Sequence, residues 1–129
     1  MSYVNYEITE KLEQAVLDLI QELVKSTEDE KSHTKIRKGI NEATKAVERK
    51  PKPDLVVIAG DIDPPEIAMH MPIICQEQNV DYAFVKEKET LGKAVGIHVS
   101  SAAVAFVGVP KTLKTQIGKV VKQIKELQA

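Results

Sequence analysis

The sequence predicts an α/β protein, a three-layer α/β/α sandwich on a mixed sheet of about four strands. Three observations point there. Leu55-Val56-Val57-Ile58-Ala59 and residues 102–107 are apolar without alternation, the pattern of strands covered on both faces. Stretches of helical period separate the apolar runs, so helices and strands alternate along the chain. At 129 residues, 43% hydrophobic and 29% charged, the chain suits a single domain over residues 1–129 with one substantial core.

Residues 10–25 read as the first helix, with Leu12, Val16, Leu19, Ile20 and Leu23 on one face and Glu13, Asp18 and Glu22 on the other. Residues 26–34 are polar throughout and predict an exposed, mobile loop. Residues 36–38 predict a short edge strand before Gly39. A second helix is expected over 41–49, capped by the Asn41 side chain and stopped by Pro51 and Pro53. After the strand at 55–59, Asp63 is placed to cap a short helix over 66–71, and Pro72 to start or kink the next, to about residue 78. Residues 82–85 predict a strand, and 88–95 a helix closed by Gly96. A loop over 96–101 leads into the strand at 102–107. The last helix, 113–127, turns Leu113, Ile117, Val120, Val121, Ile124 and Leu127 inward and Lys114, Lys119, Lys122 and Lys125 outward.

The net charge of −1 hides a strong asymmetry. Residues 1–30 hold two Lys against eight acidic residues, whereas residues 31–52 hold eight Lys or Arg against Glu42 and Glu48. A local excess of +6 on a nearly neutral chain is either a footprint for a polyanion or a solvated helix face.

Several chemistries find little support. Cys75, the single cysteine, follows apolar neighbours and reads as a buried structural thiol in a reducing compartment. His33, His70, Cys75 and His98 lack metal-ligand spacing, so no metal and no cofactor is expected. Leu91-Gly92-Lys93-Ala94 is not a phosphate loop: Glu87 stands where a Gly is required, and Ala94 where Ser or Thr is. Ser100 and Ser101 are not framed as a nucleophile elbow. Asp61, Asp63 and Glu66 lie past a strand end, where an acid–base or magnesium site is one reading and a capped turn another. Tyr82, Phe84 and Phe106 fall in predicted strands and read as core rather than as a base-stacking platform. No apolar run approaches the ~20 residues of a membrane span, and the first residues do not resemble a signal peptide.

The basic block carries the most specific pattern. In Lys38-Gly39-Ile40-Asn41-Glu42-Ala43-Thr44-Lys45-Ala46-Val47-Glu48-Arg49, a flexible glycine precedes an amide, a carboxylate and a cation at one helix end. Asn41 and Lys45 are four apart and share a face. This stretch resembles the signature of the kink-turn RNA-binding ribosomal protein family, archaeal L-seven-Ae type, whose relatives include a eukaryotic box C/D core protein and a box H/ACA protein. The likeness continues through Leu55 to Ile67, through Met71-Pro72-Ile73-Ile74-Cys75 and through Leu91 to Ile97, four blocks in order over residues 36–107.

The resemblance implies an α/β/α fold, no enzymatic activity, and recognition of kink-turns, sharp RNA bends with tandem sheared G·A pairs. By similarity, Gly39 would let RNA approach, Asn41, Glu42 and Lys45 would contact the sheared guanines, and Lys38 and Lys88 would meet the backbone. Asp63 would accept from a flipped-out base, and Ile67 with the loop Ile97-His98-Val99-Ser100-Ser101-Ala102 would pack around it. The implied RNAs are large-subunit rRNA, box C/D and H/ACA guide RNAs and ribonuclease P RNA. The implied protein partners are a Nop-type scaffold, recruited through the helices around residues 66–78 and the Lys88 segment, and through it fibrillarin. A cytoplasmic protein, monomeric without RNA, is expected. Two features depart from the pattern: the segment from Lys25 to Lys35 is long and acidic, and His98 replaces a residue that is often acidic in archaeal members.

Overall fold

The computed structural model describes residues 3–29 and 31–128. Its elements are α1 (Glu10–Thr27), β1 (Lys35–Lys38), α2 (Ile40–Glu48), β2 (Leu55–Ala59), α3 (Glu66–Glu77), β3 (Tyr82–Val85), α4 (Lys88–Ala94), β4 (Ala103–Val107) and α5 (Lys111–Gln128). The four strands form one mixed sheet in the order β1-β4-β2-β3. β2 runs parallel to β3, and β4 runs antiparallel to both β2 and β1. The helices cover this sheet, α1 packing with α4 and α5, and α2 with α3. Every residue of β2 and β3 is buried, as unbroken apolar runs require.

Local signals explain most boundaries. Thr9 caps α1 by accepting from the Leu12 N–H at 3.2 Å. The end of α4 has both bonds of a Schellman closure. The Gly96 N–H donates to Lys93 O at 3.1 Å and the Ile97 N–H to Gly92 O at 3.0 Å, with Gly96 at φ 80°. On the aromatic side of the core, Tyr3, Tyr6 and Tyr82 surround Phe84 with ring centroids 5.5–6.0 Å apart. The Tyr6 hydroxyl accepts from the Phe84 N–H at 2.8 Å, and the Tyr3 hydroxyl donates to Ala59 O while accepting from the Ile62 N–H at 3.0 Å. The N-terminal segment thereby clamps the turn that leaves β2.

Five expectations need correction. Asn41 is not the cap of α2: Gly39, at φ 95°, occupies the cap position without a side-chain bond, so the helix begins at Ile40 and Asn41 lies within its first turn. Asp63 does not cap α3, because Pro64 and Pro65 place it two residues ahead of the cap position at Pro65. Pro72 does not divide a helix. It is buried within α3, and packing holds the helix continuous across the missing N–H. Leu127 is 46% exposed, since the last turn of α5 outruns the core. The polar stretch after α1 is not wholly exposed either. Ser26, Ser32 and Thr34 bring their hydroxyls within 2.7–2.9 Å of one another, and Thr34 is buried with its hydroxyl donating to Gly108 O at 3.2 Å. Glu30, part of the acidic run there, lies outside the described residues.

Gly92 is the most tightly enclosed of the glycines. A Cβ on it would come within 2.1 Å of Val99 O, so only glycine lets the loop after α4 lie down on the helix. Gly92→Ala is therefore expected to destabilise the protein by about 1–3 kcal/mol through overpacking. Gly96→Ala, which meets nothing within 4 Å, carries only the cost of its positive φ, about 1–2 kcal/mol. Urea unfolding of the two variants measures both.

Cys75 is buried as expected, and burial pushes its thiol from the ordinary 9.0 up to about 12. Burial likewise pushes Tyr6 from 10.0 to about 12. Both groups are neutral when protonated, so the folded state holds protons that the unfolded chain releases. Their contribution is complete below pH 9 and is lost between about 9 and 12, where thermal midpoints are expected to fall. A maleimide reagent at pH 8 is expected to label Cys75 only after denaturant is added.

Candidate nucleic-acid interface

The N-terminus of α2 is fixed by its flanks and open at its tip. Lys38 ends β1 in register with Val104, and the next amide, Gly39 N–H, donates to Ala103 O at 2.8 Å. The chain then turns through the positive φ of Gly39 into the helix. Ala43 is the first helical residue whose N–H finds a backbone acceptor, Gly39 O at 2.9 Å, and no side chain caps the turn before it. Free first-turn amides and the positive end of the helix dipole favour an acceptor or anion there. α2 is held from below by buried Ala43 and Val47. On its flank the Thr44 hydroxyl donates to Ile40 O at 2.7 Å and lies 3.1 Å from both His70 Nε2 and Met71 Sδ of α3.

Above this base, Asn41 and Glu42 face solvent. Asn41 has no side-chain hydrogen bond among the described residues. Among the described residues the Glu42 carboxylate meets only the Lys45 ammonium, at 3.7 Å, with both side chains more than half exposed. A pair so exposed contributes little stability and separates readily for a ligand that satisfies both groups.

Beside the helix tip lies an open, mostly apolar groove of 640 Å³. It gathers nine of the expected residues: Lys38 and Gly39 at the α2 end, Ile67 on α3, Lys88 on α4, and Ile97, Val99, Ser100, Ser101 and Ala102 on the loop. Ile40 and Ile62 also line it and were not anticipated. Glu42 and Lys45 open instead onto a neighbouring cleft, while Asn41, Asp63 and His98 are exposed and line neither. The loop is held by its own hydrogen bonds. Its Ser101 N–H donates to Lys88 O at 3.1 Å, and the buried Ser101 hydroxyl to Ala103 O at 3.1 Å. That hydroxyl is thus a structural group, whereas Ser100 is exposed. The loop carries Val99 at its apex, 70% exposed, opposite Ile67 at 46%. Two large apolar side chains held in water across a groove suit a flat, partly apolar ligand.

Of the carboxylates beyond β2, Asp61 has a structural use. Asp61 accepts from the Lys88 N–H at 2.8 Å and so secures the start of α4. Among the described residues no group of three His, Cys, Asp or Glu is arranged to hold a metal ion. Gly92 and Asp61 are thus the positioning residues that sequence reading passed over, although both stood inside motifs it had singled out.

Comparison with known proteins places this arrangement. The solved structure of a 15.5kD RNA binding protein from Giardia lamblia superposes with a TM-score of 0.78 at 30% identity, covering 92% of each chain. The family model described as "Ribosomal protein L7Ae/L30e/S12e/Gadd45 family" matches residues 21–116, which hold every element of the groove and of α2. The chain belongs to that ribosomal protein family.

Proposed function

We propose that this protein binds RNA and recognises kink-turns, reading the sheared G·A pairs with the tip of α2 and holding an unstacked base in the adjoining groove. The observation that carries the reading is the pairing of a solvent-facing amide and carboxylate, Asn41 and Glu42, with uncapped helix amides and a basic surround. A carboxylate among phosphates is repelled unless it accepts from specific N–H groups. A sheared guanine leaves its N1–H free for Glu42 and its O6 for Lys45. An ordinary A-form major groove is too deep and narrow for side chains to read, whereas a kinked duplex opens it. Lys38 and Lys88 meet the backbone, Asp63 accepts from the extruded base, and Ile67, Ile97 and Val99 pack on that base. Ser100, Ala102 and His98 flank it.

In this reading the protein is a non-enzymatic, monomeric, cytoplasmic nucleator of ribonucleoprotein assembly. Its RNAs are large-subunit rRNA, box C/D and H/ACA guide RNAs and ribonuclease P RNA, and in box C/D particles its partners are a Nop-type scaffold and fibrillarin. The similarity to an RNA-binding protein across nearly the whole chain supports RNA as the ligand. The engagement of Asp61 with the α4 backbone weakens the rival, an acid–base or magnesium site at Asp61, Asp63 and Glu66.

Gel-shift titration against a kink-turn, and against a control with both G·A pairs made Watson–Crick, tests the proposal. Equal affinity for the two would reduce it to generic polyanion binding. Glu42→Gln is expected to lose discrimination even though the protein becomes more positive. Asn41→Ala is expected to weaken kink-turn binding by about 1–3 kcal/mol, the worth of one good base contact, while leaving the control unchanged.

A further inference from the structure

The turn that leaves β2 is closed in an unusual way. Ala59 and Ile62 are three residues apart, the spacing at which a carbonyl and an amide ordinarily bond to each other and close a β-turn. Among the described residues they make no such bond. The Tyr3 hydroxyl stands between them instead, donating to Ala59 O and accepting from the Ile62 N–H at 3.0 Å. A hydroxyl both donates and accepts, so it can hold a turn open at both ends. Tyr3 is buried, with its ring against Phe84 at 6.0 Å between centroids. The segment around it lies over the turn: a Cβ on Gly60 would be 3.2 Å from the Val4 side chain and 3.6 Å from that of Ile8.

What this turn carries belongs to the groove. Ile62 lines it. Asp61 accepts from the N–H of Lys88, which also lines it, and the exposed Asp63 follows directly. Tyr3 itself does not line the groove. Without its hydroxyl, Ala59 O and the Ile62 N–H must find each other or water. Either rearrangement moves Ile62 and the residue after it.

We propose that Tyr3 is a positioning residue for the base-holding groove, whose hydroxyl sets how tightly an extruded base is held. The inference rests on the RNA-binding reading above. It assigns part of the recognition to a side chain at the far end of the sequence from α2 and the loop, acting only through the backbone of the turn.

The test compares the full-length wild-type protein with Tyr3→Phe, Tyr6→Phe and Ile62→Ala. Two RNAs are titrated, a kink-turn and the same kink-turn with an abasic site at the extruded position. Tyr6→Phe is the control for a merely structural role, since its hydroxyl bonds the Phe84 N–H at 2.8 Å on β3, a strand that does not line the groove. Circular dichroism fixes a temperature at which all four proteins are folded. Tyr3→Phe is expected to weaken binding of the intact kink-turn by roughly 3–10-fold, the worth of a hydrogen bond, and to leave the abasic RNA unaffected. Ile62→Ala should reproduce that pattern by removing the groove contact directly, and Tyr6→Phe should bind both RNAs like wild type. The slope of log affinity against log salt should not change, because no phosphate contact is lost. Amide exchange at Ile62 should accelerate in Tyr3→Phe and not in Tyr6→Phe. Wild-type affinity in Tyr3→Phe, an equal loss on both RNAs, a loss shared by Tyr6→Phe, or an Ile62→Ala protein that binds normally would each overturn the assignment while leaving kink-turn recognition standing. A wild-type protein that does not prefer the kink-turn to its Watson–Crick control overturns both.

Discussion

One backbone carbonyl, Val99 O, lies where the side chain of residue 92 would begin, and the interface is built outward from that contact. With glycine at 92 the loop after α4 rests directly on the helix. The Schellman closure at Gly96 and Ile97 brings the chain back, and Ser101 secures it to Lys88 and Ala103. The same loop delivers Ala103, whose carbonyl receives the Gly39 N–H. Loop and helix tip are thus fixed to a common point on β4. A groove with one wall from α4 and its loop and another from the start of α2 keeps its shape because both walls hang from the same strand end.

The polar groups around the groove divide into those spent on the protein and those left open. Asp61, Ser101, Thr44 and the Tyr3 hydroxyl are all engaged with backbone, and each lies at a junction: the start of α4, the start of β4, the first turn of α2 and the exit of β2. Asn41, Glu42, Lys38 and Lys88 are exposed, and among the described residues only the Glu42 carboxylate of these has a charged partner, at 3.7 Å. Rigid supports beneath open recognition groups reduce what binding must spend on ordering.

The fold was legible because its buried strands are continuous apolar runs and its helices are amphipathic, two patterns that survive without knowledge of tertiary contacts. Boundaries set by backbone geometry were less so. Asn41 has good capping chemistry, yet Gly39 turns the chain one step earlier and takes the cap position from it. Pro72 is a helix breaker by rule, yet its burial in α3 overrides the rule. Ser26, Ser32 and Thr34 read as solvent-facing because hydroxyls usually are, and their mutual satisfaction appears only in three dimensions. Nine of the fourteen residues expected at the interface line one groove. Ile40 and Ile62 escaped notice because an isoleucine beside a strand or at a helix start is ordinarily core. The basic cleft onto which Glu42 and Lys45 open was visible as a block of charge, but its two walls come from different elements and only the fold brings them face to face.

The split between an acidic stretch at residues 1–30 and a basic one at residues 31–52 has a kinetic meaning that net charge conceals. A molecule of formal charge −1 feels almost no net pull toward a polyanion. Separated poles on the same body instead feel a torque, which turns the cationic side inward as the two partners come within a Debye length, about 8 Å at physiological ionic strength. Collisions that begin in the wrong orientation are then corrected before contact, and those that present the acidic stretch are pushed away.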